Sequence, residues 1–508
     1  RMTQLYTLFL ISAVALYVHL RLSIHTSSVS NTNISPKIWI GLWAGCGSLA
    51  ALAIGSKETA IIFPLLIIAL DATILAGLQW PSGRAKLLWR TCALALPLVA
   101  LGIFIAKSWP NNQIQFAIHN FDLVERLLTQ PRVLLDYAGK ILVPRLSGLG
   151  LYHDDFVISR GLFNPASTTV AIAAVLGLST LAVVFRRRSP AIAFGVLWFL
   201  GGHVLEASVL PIEIYFEHRN YLPSFGLIFA VAVLASQLLG QNRMVQIAAP
   251  AAALLFLGGL SVQNTLSWKN PVRQAAIWAA EHPDSYRARL KFSHLLRRAG
   301  FPDKAVTAMD PAKFSKPDAL YYIAQTAVAC LGKQQPQGDW ASSAMAHVNP
   351  ERVWRWLPSQ VEQIAFAAQN GDCAVSPDSL IELLDAHARL PVYASHSFTH
   401  YELHAVKQRI LAQTNRVEEA AATVDRMIQI IPKPGAFLAK ARLQARLGNV
   451  SKASEAVSTG LARIEQIGTQ RAEQLVPDFQ VARANIEAIQ KAIDKHQADT
   501  GPSPQPDL

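Results

Sequence analysis

Apolar residues crowd the chain up to about residue 263 and thin out after Ser267, where Lys, Arg, Glu, Gln and Ala recur at helical spacing. Within the apolar part, windows near 4–20, 38–55, 59–77, 89–106, 167–185, 190–208, 221–240 and 244–262 are long enough to cross a bilayer, which predicts about eight transmembrane helices. The pattern therefore predicts an all-α chain in two parts. A polytopic transmembrane bundle occupies residues 1–265 and a helical repeat domain residues 266–500. The segment 501–508, with Gly501-Pro502-Ser503-Pro504-Gln505-Pro506, is expected to be a disordered tail.

Composition agrees with a hybrid, since 51% hydrophobic and 16% charged residues are too apolar for a soluble enzyme and too polar for an all-membrane transporter. The net charge of +12 comes in part from Arg and Lys flanking the spans, and no nucleic-acid-binding motif accompanies it. When the spans alternate, Arg21 and Lys37, then Arg84, Lys86 and Arg90, then Arg186, Arg187 and Arg188, then Arg243 fall on one side. The positive-inside rule makes that side the cytoplasm. Arg1, the Lys57-Glu58 break, the long 107–166 loop, the Glu213–Tyr221 loop and everything after 263 fall on the other. The 107–166 loop carries amphipathic stretches at Val124–Leu128 and Val133–Val143 suited to an interface. The chain opens on Arg1 with no basic-apolar-small targeting segment, as expected of a truncated or internal start.

In the polar half, Pro283, Tyr286, Gly300 and Ala305 fit a tetratricopeptide frame, in which Pro ends one helix pair and small residues let the next two helices approach. Asn415-Arg416-Val417-Glu418-Glu419-Ala420 and Asn449-Val450-Ser451-Lys452-Ala453 repeat the helix-turn-helix signal with alanines 453 − 420 = 33 residues apart. Residues 313–400 read as helices with poor repeat consensus, their Trp354 and Trp356 serving inter-helix packing. Cys46 and Cys92 lie in spans as packed thiols. Cys330 and Cys373 share the outer, oxidising side and are expected to pair as a disulfide, because a zinc site would need two further ligands in spacing that the sequence lacks.

Charge concentrates at the outer face. His203 and Glu206 stand at i and i+3, the next loop adds Glu213, Glu217, His218 and Arg219, and the long loop adds Asp154 and Asp155. Arg can fork onto a phosphate while a carboxylate or imidazole takes a hydroxyl proton, so the group suits an anionic lipid head. Plainer readings compete: a local Lys57–Glu58 ion pair, a His203 hydrogen bond inside the bundle, and a solvated turn at Tyr152-His153-Asp154-Asp155. A metal held by His203, Glu206 and Glu213 has no compact ligand motif behind it, and none is expected. Gly-rich phosphate loops, Gly-x-Ser-x-Gly elbows and Cys-His constellations are missing, which removes support for soluble nucleotide chemistry and acyl transfer.

Arg1-Met2-Thr3-Gln4-Leu5, Gly55-Ser56-Lys57-Glu58 before Phe63-Pro64, Leu128-Thr129-Gln130-Pro131-Arg132-Val133 and Phe216-Glu217-His218-Arg219-Asn220-Tyr221-Leu222-Pro223 resemble segments of a known family. They are similar to bacterial relatives of the transmembrane and tetratricopeptide-repeat protein O-mannosyltransferases, of the GT-C glycosyltransferase superfamily. The resemblance implies a GT-C-like bundle in a bacterial inner membrane with a periplasmic repeat domain. It implies transfer of a sugar from a polyprenyl-phosphate carrier to a periplasmic protein hydroxyl, pilin-like acceptors included. Membrane lipids and that acceptor are the expected partners, and the lipid-linked sugar replaces any cofactor. Lys57 and Arg219, with Arg132, are the donor-phosphate candidates; Glu58, Asp154, Asp155, Glu217 and His218 are candidates for orienting sugar or acceptor. The family's catalytic acidic residue lies in the first outer loop, upstream of the segment matched by Arg1-Met2-Thr3-Gln4, so the base is expected ahead of Arg1. Two alternatives stand beside this reading: a non-catalytic membrane-anchored repeat scaffold, and an O-antigen ligase-like transferase with a lipid-diphosphate donor.

Overall fold

The structure, a computed structural model, describes residues 2–30, 34–80, 82–95, 97–99, 101–103, 106–107, 116, 119, 121–145, 150–239 and 243–499, with backbone alone at 85, 470–471 and 496–499. Arg1 and the expected tail at 501–508 lie outside the described residues. The described elements are helical, and the one β-bridge among them joins Gly161 to Asn164. Contacts divide the chain into two compact units, Arg1–Arg289 and Leu290–Leu508. The helix Pro271–Glu281 thus falls in the first unit, beyond the 265/266 boundary that hydropathy suggests.

Five described helices are long and apolar enough to cross a membrane: Met2–Val29, Pro36–Ser56, Lys86–Ile103, Ser167–Phe185 and Arg243–Ser267. The other three apolar windows hold shorter helices than expected. Lys57 is extended, a 3₁₀ turn covers Glu58–Ile62, and the helix Phe63–Ala72 stops where Thr73 leaves helical geometry and bonds back to the Ala69 carbonyl. Pro190–His203 ends before Glu206, and Ser224–Leu238 starts only after Pro223. At 14 and 15 residues, these last two helices run about 21–23 Å, against a hydrocarbon core of about 30 Å.

Side-chain spacing explains how the first unit packs. Tyr6, Leu10, Ala13, Tyr17, Leu20 and Ile24 recur at three- and four-residue steps on the first helix and form a buried stripe against Leu42, Cys46 and Ala53. Arg21 belongs to that stripe and is 1% exposed, contrary to its expected place in a cytoplasmic connection. It donates to the Leu78 and Gln79 carbonyls and stacks on Trp80. Where Pro190–His203 meets Ser224–Leu238, a Cβ on Gly195 would stand 2.5 Å from the Gly226 carbonyl oxygen, and one on Gly226 2.7 Å from that of Gly195. Two backbones therefore touch through reciprocal glycines, as small residues permit between membrane helices.

The amphipathic stretches of the long loop form one helix, Leu123–Leu142, running through Pro131. Asp122 and Glu125 close its N-terminus with reciprocal side-chain-to-backbone bonds, satisfying two otherwise orphaned donors. Its buried face carries Arg126, Thr129, Gln130, Val133, Leu134 and Tyr137, while Val124, Leu127 and Leu142 are exposed.

In the second unit, each helix packs mainly on its sequence neighbours and next-but-one neighbours. Five of its helices end in the same turn. Gly300, Lys333, Gly371, Asn415 and Gly448 take positive φ, and the following amide bonds to the carbonyl five residues back, as in Phe301 to Leu296 and Asn449 to Gln444. This is the Schellman closure, for which Gly is best suited and Asn tolerated. The small residues singled out in the sequence, Ala305, Ala420 and Ala453, are all fully buried. Cys330 and Cys373 are disulfide-bonded, joining the segments around two successive turns of this kind.

Candidate functional site

The site is assembled around Glu206, which the shortened helix Pro190–His203 leaves in a turn. Its Oε1 accepts from Lys57 Nζ at 2.9 Å and from Thr59 Oγ1 at 3.1 Å, and its Oε2 lies 3.8 Å from Arg219 Nε. The local Lys57–Glu58 pair is thereby corrected. Each cation reaches the same carboxylate, because the extended backbone at Lys57 breaks the apolar helix and aims its side chain at the turn after His203. Lys57, Glu206 and Arg219 are all at least four-fifths shielded from solvent.

Arg126 supports this arrangement from the amphipathic helix. It is 0% exposed and donates to the backbone carbonyls of Glu206, Ser208, Ile212 and Glu213, at 2.5, 2.9, 2.5 and 3.4 Å. One guanidinium thus gathers the 206–213 turn by its carbonyls, which a fork of five donors can do and a lysine cannot. Burial, with Arg219 adding to it, lowers the Arg126 pKa to about 9, so the group stays charged at neutral pH. Two shielded cations, Lys57 and Arg219, therefore share one carboxylate, and the buried Arg126 charge stands behind them on backbone carbonyls, leaving excess positive charge.

The remaining candidates separate into other groups. Arg132 donates to the Val157 carbonyl at 2.6 Å and to Ser159 Oγ at 3.3 Å, and so holds the loop that returns to the membrane helices. Glu217 contacts His153 Nε2 and lies 4.0 Å from Lys140. Tyr215 bridges the same group, donating to Asp136 at 2.5 Å and accepting from Lys140 at 2.7 Å. Asp154 accepts from Ser285 Oγ at 2.5 Å and from the Arg287 amide, while Asp155 pairs with His282 at 3.0 Å. The expected solvated turn is thus tied down on both sides, with His153 only 7% exposed. The bond to Asp155 raises the His282 pKa above the usual histidine range.

His203 hydrogen-bonds inside the bundle, to the Phe199 carbonyl and to Asn220 Oδ1. It does not share a helix face with Glu206, and no group of three metal-ligating side chains occurs among the described residues. Glu58 and His218 are exposed, and among the described residues neither side chain enters a hydrogen bond or ion pair. Partial desolvation, with Lys57 adding to it, lowers the His218 pKa, so its ring is neutral at pH 7. Sequence reasoning assigned no role to Arg126. Its signal was a cation standing on the inward face at the spacing of Gln130, Val133 and Tyr137. No protein-family model matches this chain, and neither does a curated protein or a solved structure.

Proposed function

We propose that this chain is the membrane half and the repeat half of an inverting GT-C-type glycosyltransferase. In this reading it moves a sugar from a polyprenyl-phosphate donor to a hydroxyl of a periplasmic protein such as a pilin-like subunit. The observation that carries the reading is the Lys57–Glu206–Arg219 group, in which two shielded cations share one carboxylate, with the buried Arg126 behind it on backbone carbonyls. Excess buried charge is costly without a counterion, and a lipid phosphate arriving from the membrane would supply one. Arg126 is saturated by carbonyls, which leaves Lys57 and Arg219 as the phosphate ligands. Glu58 and His218, exposed and without a hydrogen bond or ion pair among the described residues, are the groups best placed to orient the sugar or acceptor. The recurrent helix-turn-helix units, read as tetratricopeptide-like hairpins, supply the acceptor-binding surface on the periplasmic side.

The test uses the purified protein in liposomes with a polyprenyl-phosphate sugar and a periplasmic acceptor. Lys57→Gln and Arg219→Gln should each abolish most transfer while the protein remains folded. Wild-type transfer by Arg219→Gln would overturn the assignment. Topology is checked separately: alkaline phosphatase fused after Asp303 should be active and green fluorescent protein at Arg187 should fluoresce.

A further inference from the structure

In the second unit, the helix Ser397–Gln413 carries His400 and His404 one turn apart, with their Nε2 atoms facing each other at 3.3 Å. His400 is buried and His404 partly buried, and their rings are neither stacked nor perpendicular, at 46° between planes. We propose that this pair is a two-histidine chelate for a borderline divalent transition-metal ion such as Zn²⁺ or Cu²⁺.

The distance fits. Two imidazole nitrogens each about 2.0–2.1 Å from a tetrahedral ion lie about 3.3–3.4 Å from one another, so the ion enters without moving the helix. The spacing is built in by the sequence, because i and i+4 side chains stack on one face. The chemistry fits as well, since metal binding needs neutral imidazole. Desolvation, with His400 adding to it, brings the His404 pKa down to about 4, and desolvation, with Arg426 adding to it, lowers that of His400. Nearby Lys407 is neutralised by Asp385, which takes it with both carboxylate oxygens at 2.7 Å. At 3.3 Å one ring can donate its Nε2–H to the other; on metal binding that ring shifts to its Nδ1–H tautomer and both Nε2 lone pairs turn to the ion. No third His, Cys, Asp or Glu completes the set among the described residues, so water or a partner's ligand fills the remaining positions. Imidazole donors favour Zn²⁺ and Cu²⁺ over Mg²⁺ or Ca²⁺.

The experiment is calorimetric titration of the purified, tag-free chain with Zn²⁺ alone, alongside His400→Gln and His404→Gln, with unfolding temperatures recorded without metal to confirm that each variant is folded. One equivalent should bind to wild type and each variant should lose at least about tenfold in affinity, about 1.4 kcal/mol. With Cu²⁺, electron paramagnetic resonance should show two coupled nitrogens in wild type and at most one in either variant. Equal Zn²⁺ affinity in wild type and both variants, or a Cu²⁺ spectrum unchanged by both substitutions, would overturn the site.

Discussion

The two units treat charge in opposite ways. The first buries Arg21, Arg126, Glu206 and Arg219 below one-tenth exposure, whereas every described residue that deeply buried in the second is apolar or one of Ser, Thr, Gln and His. Some ion pairs of the second unit, Arg352 with Asp318 and Lys407 with Asp385, are partly shielded, whereas others, such as Arg416 with Asp378 and Glu419 or Arg409 with Glu362, lie in solvent, where each is worth little. Buried charge is expensive and persists where it does something that an apolar side chain would not. The contrast teaches that the first unit is shaped around an electrostatic task and the second around packing and surface.

The largest effect should therefore come from Arg126. Arg126→Met leaves the Glu206, Ser208, Ile212 and Glu213 carbonyls without their donor, and a loss on the order of 3–5 kcal/mol is expected. Its apparent melting temperature in detergent should fall steeply, while that of Arg416→Gln should stay near wild type. Similar falls in both would break the comparison.

The second unit should respond instead to its covalent staple. Cys330 and Cys373 are 43 residues apart in sequence, so Cys373→Ser should cost about 3–4 kcal/mol in the chain-entropy picture. Limited proteolysis should then cut between residues 330 and 373, and an unchanged digest would contradict the role of the bond. Next in size, Gly195→Ala should destabilise the first unit by about 1–3 kcal/mol, because its Cβ meets the Gly226 carbonyl. A melting temperature equal to wild type would show that the two helices can part without penalty.

The smallest effect concerns His282. Its folded-state pKa is raised, so the stability that it contributes is fully present below the unfolded value of about 6.5 and is lost as pH rises through the folded value. Amides around Asp154–Phe156 should therefore gain intrinsic-rate-corrected exchange as pH rises past neutrality in wild type, and the change should vanish in His282→Gln.

Much of this was legible in the chain and some was not, for physical reasons that differ between the units. Apolar windows marked the helices, but their lengths depended on Lys57, Thr73 and Pro223, where local geometry overrides hydropathy. Charged residues between the apolar windows flagged the segments that carry the ion pairs, yet Lys57 and Glu206 are 149 residues apart, and no local pattern announces that partnership. The buried alanines at 420 and 453 were readable from the segments Asn415–Ala420 and Asn449–Ala453, which lie at turns where Asn415 and Gly448 take positive φ. The equivalent turn at Lys333 was hidden, since a lysine in left-handed geometry carries no sequence signal. The Cys330–Cys373 pair was accessible because these are the two cysteines outside the apolar windows.

The central claim is that Lys57 and Arg219 present surplus positive charge to a phosphate while Glu206 restrains them. The most direct measurement is the affinity of the detergent-solubilised full-length protein for a polyprenyl-phosphate sugar in wild type, Arg219→Gln and Glu206→Gln. Loss of Arg219 should weaken binding by about 1.5–3 kcal/mol, the range for hydrogen bonds to charged groups, whereas neutralising Glu206 should leave affinity equal or stronger. Both effects should shrink at high salt, less so than for an exposed site. Wild-type affinity in Arg219→Gln, or a loss in folded Glu206→Gln as large as that expected for Arg219→Gln, would contradict the account and return the group to a purely structural role.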